Sequence, residues 1–99
     1  MKENMTFGDA INELIEKDWV YIRRSSWDND TFVYAIGYGE YSPCTKIAEK
    51  LTNDKNLVPY ASYLAICKNN IVEPWNISNE DVFAKNWCSV DIRDIDSSK

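Results

Sequence analysis

Two short segments carry the residues best suited to chemistry. Arg24-Ser25-Ser26-Trp27-Asp28 sets an arginine three residues before a tryptophan that a carboxylate follows at once, and Pro74-Trp75-Asn76 holds a second tryptophan between a rigid proline and an amide. A flat ring, a cation and a polar hydrogen-bonding group are what a nucleotide-sized ligand requires. Trp27 can stack on a purine, an interaction worth roughly 1–3 kcal/mol per base, and Trp75 can supply a second wall. Arg24, or Arg23 beside it, can meet a phosphate with the two-pronged geometry of guanidinium. Asp28 or Asn76 can accept hydrogen bonds from ribose hydroxyls. Each residue also has a plainer reading. Tryptophans are mostly buried, so all four can be core filler, with Trp19 and Trp87 better suited to the core or a subunit contact than to a ligand. Arg24 can equally be half of a salt bridge to a nearby carboxylate.

Catalysis finds less support. The chain has no histidine, the commonest general acid–base residue. Cys44, Cys67 and Cys88 have no base close in sequence, and their odd number and wide spacing suit neither a disulfide framework nor a zinc site. Buried reduced thiols are expected. Asp28/Asp30 read as turn residues and Glu80/Asp81 as a helix start, so neither pair reads as an acid–base dyad. Three glycines are too few and too scattered for a phosphate-cradling loop. The expectation is a non-catalytic binder with no cofactor and no metal. A formal charge of -5 argues against a nucleic-acid polymer as partner. The start of the chain lacks a signal-peptide pattern, and no apolar run approaches the ~20 residues of a membrane span. A cytoplasmic protein with no membrane partner is expected.

With 99 residues, 44% of them hydrophobic, the chain reads as one domain, residues 1–93, with a charged, frayed tail at 94–99. Thr6 and Asp9 mark a helix start, and Phe7, Ala10, Ile11, Leu14 and Ile15 form its apolar stripe. Trp19 to Arg24 alternates as a strand, with Val20, Ile22 and Arg24 on one face and Trp19, Tyr21 and Arg23 on the other. Thr31 to Ile36 returns antiparallel to it, so 19–36 is a hairpin with a long, polar connection. Ser42 and Pro43 open a short helix with Ile47, Ala48 and Leu51 inward, and a polar loop follows at 52–56. Tyr60 to Cys67 is a strand that turns at Lys68-Asn69-Asn70 into Ile71–Glu73, which Pro74 ends. Ser78 and Asp81 cap another short helix with Val82 and Phe83 inward, and Trp87 to Ile92 is the last strand. The fold class is α+β: a small antiparallel sheet of about five strands with two or three short helices.

The order Met5-Thr6-Phe7-Gly8-Asp9-Ala10, Arg24-x-Ser26-Trp27-Asp28, Pro74-Trp75 and Asp81-x-x-Ala84-x-x-Trp87 resembles the second type of Thoeris anti-defence family, small phage-borne proteins. The resemblance runs from about Met5 to Val90. It implies a sponge that binds cyclic ADP-ribose isomers made by bacterial TIR-domain immune proteins in the host cytoplasm. It also implies a homo-oligomer, a tetramer in that family, with ligand pockets between subunits, and in some members a separate site for cyclic dinucleotides. Carried over, the family's arginine falls on Arg24, its tryptophan–asparagine pair on Trp27 and Asp28, and its proline–tryptophan on Pro74 and Trp75. Ser26 and Asp28 depart from a family glycine and asparagine, and Asp28 would repel an approaching phosphate. Asp18 stands where a glycine is usual, and 37–60 carries none of the motifs that align with the family. Two rival readings remain: a protein-interaction module that uses the same aromatics without a small ligand, and an enzyme that cleaves such a nucleotide.

Overall fold

The computed structural model describes residues 1–37, 39–41, 45–51 and 58–97. In chain order these form β1 (Lys2–Met5), α1 (Phe7–Glu16), β2 (Val20–Arg24), β3 (Phe32–Ile36), β4 (Gly39–Tyr41), α2 (Lys46–Leu51), β5 (Val58–Tyr60), β6 (Tyr63–Lys68), β7 (Ile71–Pro74), α3 (Asn79–Phe83), β8 (Trp87–Asp91) and α4 (Ile92–Ser97). Six strands make one open antiparallel sheet in the order β1-β8-β2-β3-β6-β7, and β4 pairs with β5 separately. The class is therefore α+β and mostly sheet, with four short helices.

Register decides what each face carries, because directly opposed residues share a face. Ile22 lies opposite Val33 and Ser89, Val33 opposite Ile66, and Arg24 opposite Trp87. Ile22, Val33, Ile66 and Trp87 thus form one apolar face, and α1 closes it with Ala10 and Leu14. The helix starts as its sequence requires: the Thr6 side chain accepts from the Asp9 backbone N–H. The other face carries Tyr21, Phe32 and Tyr34, with ring centroids 5.0 Å apart for Tyr21–Phe32 and 6.0 Å for Phe32–Tyr34. At the β6–β7 turn Asn69 and Asn70 take φ of 51° and 65°, the left-handed pair that a tight hairpin needs.

Several expectations from the sequence are corrected. Ile15 is 69% exposed, while Glu13 is buried in its neighbourhood instead. The α1 stripe is narrower than its apolar residues suggest, and Lys2 of β1 and Lys17 neutralise the carboxylate at its margin. Ile47 and Leu51 of α2 are exposed, as are Val82 and Phe83 of α3. Helices of five or six residues have room for few inward positions, and α3 presents neither of these side chains to the sheet. Tyr60 belongs to β5, and β6 begins at Tyr63. The last strand stops at Asp91, and a helix occupies Ile92–Ser97, where a strand end and a tail were expected. β1 was not anticipated: Lys-Glu-Asn-Met has no alternation, and its pairing with β8 shifts register between Lys2 and Met5, where Asn4 takes φ 55°. The Ser42-Pro43 helix start and the loop at 52–56 lie outside the described residues.

Glu13 links the fold to pH. Hydrogen bonding to Lys17, 2.6 Å away, and then to Lys2 holds its carboxyl below the ordinary value of 4.5, against the opposing effect of burial. A depressed folded pKa contributes stability that is present above the unfolded value and lost as pH falls through the folded one. Glu13→Gln should therefore lower the melting temperature at pH 7, and the gap to the unsubstituted protein should narrow as pH drops below 4.5. Thermal unfolding monitored by circular dichroism from pH 7 to pH 3 checks this; a gap that stays constant contradicts it.

Candidate ligand-binding site

Trp87 sits at the centre of the candidate site with no exposed surface. Its Nε1–H donates to the backbone carbonyl of Asp81 at 2.9 Å, which satisfies the polar handle of a buried indole. Three rings surround it, at centroid distances of 5.2 Å for Trp27, 5.6 Å for Phe7 and 5.8 Å for Trp75. Trp27 and Trp75 are half-buried and meet each other edge to face, 6.4 Å apart at 84°. Two rings in edge contact leave no slot between them. An aromatic ligand can stack on an outer face of either ring but is not sandwiched by the pair. The two rings extend the core cluster and also face a pocket.

That pocket has a volume of about 560 Å³ and is lined by Ser26, Trp27, Asp28, Asp30, Thr31, Ile66, Lys68, Asn69, Glu73, Pro74, Trp75, Asn76 and Asp81. Trp27, Asp28, Trp75 and Asn76, chosen from two segments nearly fifty residues apart, thus meet in one cavity. They converge over the apolar face of the sheet, where both rings pack against Trp87. Trp75 is fixed there by its backbone N–H, which donates to Leu64 at 2.9 Å.

The two arginines stand elsewhere and do not line the pocket. Arg24 Nε donates to Asn86 Oδ1 at 3.0 Å, and Nη1 pairs with Glu80 at 3.1 Å and Asp81 at 3.3 Å. The side chain is 14% exposed and joins the end of β2 to α3. Arg23 emerges on the opposite face, donating from Nη1 to Asn29 Oδ1 at 3.0 Å and from Nη2 to the Trp27 carbonyl. Arg23 braces the loop that carries Trp27 directly, and Arg24 does so through Asn86. Asn86, which sequence reasoning missed, completes the bracing. Its carbonyl accepts from Ser25 N–H at 2.9 Å, and its amide donates to Ser26 Oγ at 3.3 Å. Its position just before a strand was the available signal, but its partners lie sixty residues away.

The pocket is acidic as a result. Asp28, Asp30, Glu73 and Asp81 face it against the single ammonium of Lys68. Asp81 is already committed to Arg24 and to the capping box of α3 with Ser78. Among the described residues no three histidine, cysteine, aspartate or glutamate side chains could hold a metal ion together. Cys67 and Cys88 are free and buried, and burial pushes the Cys88 thiol up, away from nucleophilic use. Cys44 lies outside the described residues. A second, more apolar cleft of about 830 Å³ runs past Ile15, Trp19, Tyr21, Phe32, Tyr34 and Tyr63. Trp19 is half exposed there and is not core.

Comparison with known proteins places residues 5–90 within a family model described as Tad2-like, Thoeris anti-defense 2-like domain. A search of curated proteins finds no match. No helix among the described residues is long and apolar enough to cross a membrane.

The bracing role of Arg24 has a measurable consequence. Arg24→Gln leaves the largely buried Asp81 carboxylate without its cation and should cost about 1.5–3 kcal/mol, the range for hydrogen bonds to charged groups. Glu80→Gln removes a partner whose side chain is 80% exposed and should cost less than about 1 kcal/mol. Urea unfolding of the two variants separates these outcomes. Equal stability of Arg24→Gln and the parent would show that the guanidinium holds nothing together.

Proposed function

The chain belongs to the Thoeris anti-defense 2-like family, and from that membership we propose that it works as a non-catalytic sponge for a cyclic ADP-ribose-type nucleotide made by TIR-domain immune proteins. The family carries the anti-defence role. The observation that supports sequestration is the pocket beside Trp27 and Trp75, whose volume of about 560 Å³ falls within the usual range for small-molecule sites. It offers indole faces for a base and acceptors for ribose hydroxyls. A chain without histidine, and with carboxylates assigned to a turn and a cap, supports binding over bond cleavage.

Sequestration asks for tight binding. A nanomolar Kd corresponds to about 12 kcal/mol, and one stacked base supplies roughly 1–3 kcal/mol. The remainder requires several hydrogen bonds and exclusion of water. One open pocket on one chain provides this poorly, whereas loops of another subunit in an assembly, reaching round to the pocket, would provide it well. We assign the homo-oligomer contact to the sheet face bearing Tyr21, Phe32 and Tyr34 together with Trp19, an aromatic surface of the kind enriched at interfaces. A tetramer is the expected assembly.

Two measurements test this reading. A ligand present at a hundred times its Kd stabilises by about 2.7 kcal/mol, which for a domain of this size raises the melting temperature by on the order of 10 °C. Cyclic ADP-ribose isomers should produce such a shift, and ligand recovered from the denatured complex should be intact by chromatography. A shift with cyclic dinucleotides alone would reassign the ligand, no shift with either class would favour a protein-interaction module, and recovered fragments would make the protein an enzyme. In the second measurement, sedimentation should show an oligomer that Tyr34→Asp dissociates; a parent protein that is monomeric at tens of micromolar would overturn the interface.

A further inference from the structure

The charge distribution around the indoles says which part of a nucleotide this pocket accepts. A pyrophosphate binding here would want guanidinium groups, and both nearby arginines are spent on Glu80, Asp81, Asn86, Asn29 and the Trp27 carbonyl. The side chains of Asp28, Asp30 and Glu73 have no partner among the described residues. Dispersed carboxylates beside an aromatic surface suit polar hydrogens delivered at separate points, and the vicinal hydroxyls of a ribose are such donors; an acidic side chain binds ribose hydroxyls in dinucleotide-binding folds for the same reason. Lys68 has a different place. It ends β6 at the Asn69-Asn70 turn, at the edge of the pocket, and lies one diagonal step across the β6–β7 ladder from Glu73. Glu73 and Lys68 therefore offset each other locally, and the uncompensated negative charge belongs to Asp28 and Asp30.

We propose that the pocket beside Trp27 and Trp75 is a ribose-reading site. Asp28 and Asp30 accept hydrogen bonds from a free vicinal diol, the base lies against an outer indole face, and the phosphates point outward past Lys68. This rests on the nucleotide reading of the site and deepens it. It also assigns a role to Asp28: an acceptor that selects for the sugar where a neutral amide would be less selective. A nucleotide lacking the diol, or one that must enter phosphate first, is excluded by the same carboxylates.

The test uses the full chain, with adenosine, 2′,3′-dideoxyadenosine and ADP-ribose as probes, followed by NMR titration of the indole N–H signals in low and high salt. Adenosine should bind at least tenfold more tightly than the dideoxy analogue, since a site built around substrate hydroxyls penalises their loss heavily. Asp28→Asn and Asp30→Asn should each weaken adenosine and shrink that difference, while Lys68→Gln should weaken ADP-ribose and leave adenosine unchanged. All three positions are solvent-facing, and thermal unfolding of each variant verifies its fold. Equal binding of adenosine and its dideoxy analogue overturns the proposal. So does an Asp28→Asn variant that binds ADP-ribose more tightly with adenosine unaffected, because the carboxylate would then merely repel. These outcomes leave nucleotide binding standing. If neither these probes nor cyclic ADP-ribose isomers bind, the nucleotide reading fails and takes this proposal with it.

Discussion

The hydrogen bond from the buried Trp87 indole to the Asp81 carbonyl is the constraint around which the site end of the molecule is arranged. A buried N–H without an acceptor is costly, so α3 must lie where its carbonyl can meet β8. Helix α3 has five residues, too few to be stable by backbone bonds alone. It persists because three restraints, one local and two to neighbouring strands, meet at one residue. The Asp81 carbonyl holds Trp87, its carboxylate pairs with Arg24, and its backbone N–H and carboxylate complete the capping box with Ser78. The sheet register then matters again, because Arg24 and Trp87 are opposed on neighbouring strands. One end of the sheet, one short helix and one loop are fixed by the same few groups.

Core and pocket are consequently the same structure seen from two sides. Trp27 and Trp75 touch Trp87 with one edge and face the cavity with another surface. This pre-organises the rings, since their rotamers are set by packing before any ligand arrives. The cost is electrostatic. Holding the Trp27 loop consumes both arginines, and the cavity is left with carboxylates. The arrangement favours a ligand that brings hydrogen-bond donors rather than one that needs cations supplied.

What was legible in the sequence divides along physical lines. Local chemistry read correctly: the Thr6 cap, the Asn69-Asn70 turn, the Ser78–Asp81 box and the alternation of β2. Although β2 and β7 finish at opposite ends of the sheet, so that the meeting of the two rings was hidden, the place of Trp27 and Trp75 just after strand ends was legible. Long-range pairing was not. The partners of Arg24 lie 56 to 62 residues away, so its alternation on β2 gave its face but could not decide between anion and carboxylate. Edge strand β1 pairs through its backbone, which leaves no side-chain periodicity to read. The helix faces failed for a related reason. An apolar residue on a short helix is drawn inward only where a neighbouring element is present to cover it, and among the described residues Ile15, Ile47, Leu51 and Phe83 are exposed.

Those uncovered residues bear on how a sponge of this size would work. A 99-residue domain has a high ratio of surface to volume, and this one spends its best aromatic side chains on the pocket end. Its second sheet face keeps Tyr21, Phe32 and Tyr34 half-exposed, and the cleft beside them adds Ile15 and Trp19. Aromatic surface of this kind is enriched at protein interfaces. A pocket that must retain its ligand needs water excluded from the side facing solvent, and among the described residues this pocket is open there. Association through the second face would meet the stability requirement, and the geometry of that association would determine whether one subunit's loops reach the pocket of another. On the sequestration reading, assembly and affinity are therefore two results of one shortage: a chain too small to bury its own aromatic surface and too open to enclose its ligand.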